Sequence, residues 1–266
     1  MTASDLDRLL TSFRKRWNRS GQSLEESRAS LTALEAFLPV AEDAIVATVS
    51  ASGIPAEWVR ASNVEADVDK ALLYLHGSGY CYIAAPAPTA CWPTTVPGHR
   101  REMPVAGLSP GPRAPLPGSL ATLSPWTNLT MSGGKIQGLA EADPLVQPIN
   151  LERCANWYMG DGDRSELLAS PLLGELAGLP PLLVQVGSEE ILLDDAVRLA
   201  ARAEQAGVTV EYECWPQMFH VFQLYAPVLS ESREAITAVG TFVNQHISLP
   251  AGQAGRRQCQ EVDRRG

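Results

Sequence analysis

Leu6, Leu9, Leu10, Phe13 and Trp17 recur three or four residues apart, the spacing that lines one face of an amphipathic helix. Ser23 and Glu26 then form a capping-box pattern opening a second helix through Leu31, Leu34 and Phe37. Two β-like runs, AIVATVSA (44–51) and PAEWVRAS (55–62), flank Gly53 as a hairpin requires. ALLYL (71–75) is a continuous apolar run, the pattern of a strand buried on both faces. Further strands are expected at SLATLSP (119–125), PLLVQVGS (181–188) and VTVEYECWP (208–216). Between the last two lies a helix carrying Ala196, Leu199, Ala200 and Ala203, closed by Gly207 just past its end. A final helix is expected from about Ser232 to His246. Strands alternating with helices indicate an α/β layered fold with a largely parallel sheet.

Two stretches break this order. Nine of the 20 prolines fall within residues 86–117, too closely spaced for a strand or helix. Arg100, Arg101 and Arg113 face a single acid, Glu102, in that window. Residues 251–266 (AGQAGRRQCQEVDRRG) likewise carry four arginines, two acids and no core positions. The whole chain of 266 residues has a net charge of −9, which argues against a phosphate-binding basic face and hence against nucleic acid. No apolar run has the length of a membrane span, and MTASDLDRLL lacks the apolar region of a signal peptide. Five scattered cysteines without a CxxC pair fit a reducing, cytoplasmic setting and no metal site.

Three loops carry candidate chemistry. His76-Gly77-Ser78-Gly79-Tyr80 follows the 71–75 run, and its small residues allow backbone N–H groups to converge on an oxyanion. An ordinary glycine-rich turn would have the same composition. GSEEILLDD (187–195) stands at the carboxyl end of a parallel strand, where an acid can orient a histidine. Asp194 and Asp195 suit the start of the next helix, leaving Glu190 in the loop before it. His220 follows the 208–216 strand, 30 positions after Glu190, as a general base would if the two loops meet. A structural histidine among aromatics is the competing reading. His99, in the proline window, and His246, at a helix end, read as solvated.

These segments resemble the hormone-sensitive-lipase branch of the α/β-hydrolases, mainly bacterial carboxylesterases. LLYLHGSGY (72–80) is similar to the strand and HGGG oxyanion turn, LSPWTNLTMSG (123–133) to the segment after the nucleophile helix, and VGSEEILLDDA (186–196) to the acid loop. The resemblance covers residues 1–85 and 115–249. It implies an α/β-hydrolase fold, a mostly parallel sheet flanked by helices with an amino-terminal helical cap; the short interval between Tyr80 and Ser119 leaves the chain without central strand–helix units. The implied domains are a helical cap at 1–40, the hydrolase domain at 41–249 interrupted by a foreign insert at 86–114, and a disordered tail at 250–266. By the same resemblance, Ser78 and Gly79 are oxyanion donors and His76 supports their turn. Glu190 is the acid, His220 the base and Asp194 a second, structural acid. Ser78 replaces a glycine, which makes any positive φ there costlier. The implied chemistry is serine-type acyl transfer on short, uncharged carboxylic esters, with no metal or organic cofactor. The expected partner is a small-molecule ester; a second copy of the chain is the macromolecular partner left open.

The expected nucleophile elbow, GxSxG, is what the sequence lacks. Two strand–helix units need on the order of 60 residues, yet only 38 separate Tyr80 from Ser119. The one formal match is Gly107-Leu108-Ser109-Pro110-Gly111. Pro110 has no N–H to give an oxyanion, and Pro112, Pro115 and Pro117 forbid the helix that should follow Ser109. The alternative to an active esterase is therefore a catalytically dead remnant or a non-enzymatic binding protein of the same family. An out-of-frame or aberrantly joined segment at 86–114 accounts for the change of composition at both edges. Translating the coding DNA in its other two frames is expected to restore a serine elbow with alternating strand patterns; their absence from every frame overturns the frameshift origin.

Overall fold

The computed structural model describes residues 6, 9–11, 13, 23–26, 29, 43–51, 54–62, 72, 73, 75, 77, 79–81 and 116–247. His76, Ser78, Ser109, His99, the 86–114 insert and the 250–266 tail lie outside the described residues. In chain order the elements are β1 (Ala44–Ala51), β2 (Ile54–Ala61), β3 (Leu120–Leu123), α1 (Lys135–Gly138), α2 (Pro148–Met159), β4 (Leu182–Gly187), α3 (Leu193–Gln205), β5 (Val210–Trp215) and α4 (Ser230–Ile247). Short 3-10 turns occupy Pro171–Leu173 and Phe222–Tyr225. No helix among the described residues is long and apolar enough to cross a membrane.

β4 organises the domain. It lies between β3 and β5, parallel to both, with Leu120 opposite Leu182 and Leu182 opposite Val210. Every residue of β4 is buried, because successive side chains enter different layers. Leu182, Val184 and Val186 pack against Ala196, Leu199, Ala200 and Ala203 of α3, whereas Leu183 meets Val239, Phe242 and Val243 of α4. At about 1.5–3 kcal/mol for each fully buried aliphatic side chain, this strand anchors both helical layers. Gln185 faces the α4 side, where its Nε2 donates to the Ala235 carbonyl and to Glu213, and its Oε1 accepts from Gln223.

The local rules hold where short-range chemistry decides. Ser23 N–H donates to Glu26 Oε2 at 2.7 Å and Glu26 N–H to Ser23 Oγ at 3.1 Å, a complete capping box. β1 and β2 pair antiparallel, Ala51 opposite Ile54. α3 ends in a Schellman motif: Val208 N–H reaches the Ala203 carbonyl, Gly207 N–H reaches Glu204, and Gly207 has φ +82°. α2 lies outside the expected elements, although Pro148 at its first position is a helix-start signal.

One expectation is corrected. Of the 71–75 run expected as a strand buried on both faces, the described residues Leu72, Leu73 and Leu75 are exposed and without strand structure; Ala71 and Tyr74 lie outside the described residues. A continuous apolar run becomes a buried strand only with a ladder partner on each side, as β4 has. No described strand pairs with Leu72, Leu73 or Leu75.

The Gly207 position yields a direct test. An added Cβ would meet nothing within 4 Å, so only backbone strain opposes a side chain. Gly207→Ala is expected to destabilise the fold by about 1 kcal/mol, read as a lower urea midpoint at unchanged slope.

Candidate active site

Because β3, β4 and β5 are parallel, the loops after Leu123, Gly187 and Trp215 emerge on the same edge of the sheet. The last two are laced together. Ser188 N–H donates to the Trp215 carbonyl at 3.0 Å, Glu189 N–H to the Met218 carbonyl at 3.0 Å, and Gln217 N–H to Ser188 Oγ at 2.9 Å. The backbone of Met218 crosses so close to Gly187 that a Cβ there would lie 2.2 Å from its carbonyl oxygen. Only glycine fits.

This crossing brings Glu190 and His220 together. Glu190 is fully buried; its Oε1 accepts Gly187 N–H at 3.2 Å, and its Oε2 lies 3.1 Å from His220 Nδ1. With the proton on Nδ1, the ring is left with Nε2 as its basic atom. The His220 side chain keeps 24% of its surface exposed. Burial lowers the affinity of this ring for a proton. The Glu190 hydrogen bond and charge, joined by the charge of Asp143, outweigh that effect and hold the pKa above the ordinary 6.5.

The remaining expected residues separate by role. Asp194 does not reach the pair; its Oδ2 accepts Gly134 N–H at 2.9 Å. Asp195 accepts Thr127 N–H at 2.9 Å, and burial pushes its carboxyl up to about 6. Both acids stand in the first turn of α3 and also pin the 127–134 segment to it. Gly79 has φ +57° and precedes Tyr80, itself at φ +66°. The Tyr80 hydroxyl is shared between the carbonyls of Trp126 (2.9 Å) and Ala169 (3.1 Å), and its ring meets Trp126 edge-on at 5.3 Å. That anchors the glycine turn to the segment after β3. Phe13 packs against Phe219, next to His220, at 5.3 Å between ring centroids. Among the described residues, no group of three His, Cys, Asp or Glu side chains could hold a metal ion.

Two residues here escaped the sequence reading. Ser124, buried at the end of β3 with φ +49°, accepts the N–H of Val221 at 2.9 Å; Val221 is itself left-handed, with φ +48°. A β-branched residue at positive φ is costly, and such strain gathers where structure over-determines a site. Asp143 is buried and holds three amides, Leu145 and Val146 on Oδ1 and Ile191 on Oδ2. The Asp143-Pro144 pair is a turn signal that could have drawn attention to it.

A family defined by the α/β hydrolase fold matches residues 103–224. The match starts inside the proline-rich window, includes Asp143, Glu190 and His220, and excludes the HGSGY turn. An acetyl-hydrolase of Streptomyces hygroscopicus is 45% identical over 129 residues, 48% of this chain and 43% of that protein. An esterase of Acinetobacter venetianus is 34% identical over 128 residues, 48% of this chain and 42% of its own. The matched segment thus spans less than half the length of these curated relatives. Among solved structures, an esterase from the bacterial hormone-sensitive lipase family superposes with a TM-score of 0.78 at 29% identity, covering 93% of this chain and 99% of that one. A hormone-sensitive lipase from a metagenome library gives 0.73 at 26% identity, covering 91% and 98%.

His220 is expected to titrate above 6.5 by NMR, and Glu190→Gln to lower that value by leaving the burial effect less opposed. Since the native state favours the protonated ring, the pair's contribution to stability is complete below 6.5 and is lost as pH rises through the higher native value. A native His220 titrating at or below 6.5 contradicts the pairing.

Proposed function

The chain belongs to the hormone-sensitive-lipase-like α/β-hydrolases, and from that premise we propose that it carries the acid–base machinery of a serine-type carboxylic ester hydrolase. The observation that carries the reading is the 3.1 Å contact between buried Glu190 and partly exposed His220 at the ends of adjacent parallel strands. In this mechanism His220 Nε2 takes the proton of a serine hydroxyl as its oxygen attacks the ester carbonyl. The same proton then goes to the departing alcohol as the acyl–oxygen bond breaks. Glu190 holds the ring and stabilises the imidazolium. The N–H groups of Ser78 and Gly79 are the proposed oxyanion donors, with His76 supporting their turn. The substrate class is short, uncharged carboxylic esters, in keeping with the acetyl-hydrolase and esterase named among the relatives. The cysteine usage supports a cytoplasmic setting.

A second reading is a remnant that has lost covalent catalysis. It is favoured by one sequence observation: the formal nucleophile Ser109 precedes Pro110, which has no N–H. Without a serine elbow the acyl-enzyme does not form, whatever the quality of the Glu190–His220 pair.

Hydrolysis of p-nitrophenyl acetate by the purified chain separates the two. Turnover above the uncatalysed background that is lost in His220→Ala is the outcome of the first reading; a rate at background, unchanged by Ser109→Ala, is the outcome of the second. Turnover abolished by both Ser109→Ala and His220→Ala would instead make Ser109 the nucleophile. Turnover indifferent to His220→Ala would sink the proposed base.

A further inference from the structure

Asp143 stands outside the roles assigned above, yet it is built into the same corner of the molecule. The residue is 2% exposed. One oxygen, Oδ1, accepts the N–H groups of Leu145 (2.9 Å) and Val146 (2.8 Å), closing the turn after Asp143-Pro144. The other, Oδ2, leaves that turn and accepts Ile191 N–H at 3.0 Å, 48 positions along the chain. Ile191 is the residue after Glu190 and is itself fully buried. The turn that carries Asp143 is held in its own right. Asp143 N–H donates to the Leu139 carbonyl at 2.9 Å, and Gln147 Nε2 donates to the carbonyls of Ala140 (2.9 Å) and Asp143 (3.0 Å).

A carboxylate that only capped its own turn would need neither deep burial nor a bond to a distant loop. Asp143 has both. Amide donors satisfy its oxygens but do not neutralise it, and taking an ionised carboxylate out of water is unfavourable without an opposing charge. Burial accordingly pushes its carboxyl above the usual carboxylate range. The positive charge of protonated His220 acts in the opposite direction, as do the three amides. The influence is mutual, since the charges acting on His220 are those of Glu190 and Asp143.

We propose that Asp143 is a positioning residue of the acid–base pair: its Oδ2 fixes the Ile191 amide and so the backbone that carries Glu190, while its charge adds to that of Glu190 at His220. The proposal rests on Glu190 and His220 acting as a pair, but not on ester turnover. In an active hydrolase Asp143 would touch neither substrate nor the reacting atoms. Its effect would pass through the placement of Glu190 and the charge state of His220.

The test is an NMR titration of His220 in the full chain, with the Nδ1 proton observed alongside. The amide spectrum serves as the check on fold. Asp143→Asn removes the charge and one acceptor; His220 is expected to titrate at lower pH than in the native chain, with the Nδ1 proton signal shifted or broadened. In a Glu190→Gln background the same substitution is expected to do less, because only its direct charge effect remains. An equal effect in both backgrounds, or none in a folded Asp143→Asn chain, overturns the positioning role. Should Asp143→Asn fail to fold, Asp143→Glu decides, since it retains the charge but displaces the oxygens. A changed Nδ1 signal then supports the proposal, and a titration and Nδ1 signal identical to the native chain overturn it. Loss of the ester-hydrolase reading would appear in the p-nitrophenyl acetate assay alone and leave this titration unaffected.

Discussion

The close pass of the Met218 backbone over Gly187 is the constraint on which the rest of the site depends. Position 187 is the last residue of a fully buried central strand, so it cannot retreat from the crossing chain. Because it has no side chain, the loop after β5 can lie directly on the loop after β4. Three backbone amides then bridge the two loops, and the Gly187 N–H remains available to Glu190. A carboxylate and an imidazole 30 residues apart in the sequence meet because two backbones fit where a side chain would not.

Around that contact, polar and strained groups occur where a generic core would have neither. Gln185, in the middle of β4, uses both ends of its amide to join β5, α4 and the turn after His220. A buried amide bonded in this way restricts the surrounding layers to one arrangement, since a shift would leave polar atoms unpaired. Ser124 and Val221 bond to each other although both have left-handed backbones. Their unfavourable conformations sit on either side of the gap between β3 and the His220 loop, and the hydrogen bond between them fixes its width. The geometry at His220 therefore comes from three sources: a glycine contact, a polar core network and a strained pair.

The sequence was informative where chemistry is local. The capping box at Ser23 and the Schellman glycine at position 207 each depend on neighbours a few residues away. Glu190 and His220 were legible for a related reason, because a strand followed by a short loop places its first polar residues at a known edge. The 71–75 run was misread because burial of a strand depends on partners remote in sequence. Asp143 and Ser124 were missed because their importance lies in single bonds to Ile191 and Val221, across 48 and 97 positions, and no local pattern announces such a bond. The expected oxyanion turn is described only at Gly77, Gly79 and Tyr80, with Gly79 at positive φ; His76 and Ser78 lie outside the described residues.

The anchoring of Tyr80 has a consequence for the order in which the molecule assembles. Glu190 and His220 belong to one contiguous β–α–β unit, so their contact closes a short stretch of chain. Tyr80 reaches its acceptors across 46 and 89 positions, so its attachment must wait until the segment after β3 and the stretch before β4 have both settled. The Glu190–His220 contact closes 30 positions of chain and so orders less of it than either Tyr80 bond, which leaves the turn bearing Gly79 held by the longer closures. Its docking is thus the step most exposed to whatever the intervening stretch of chain does.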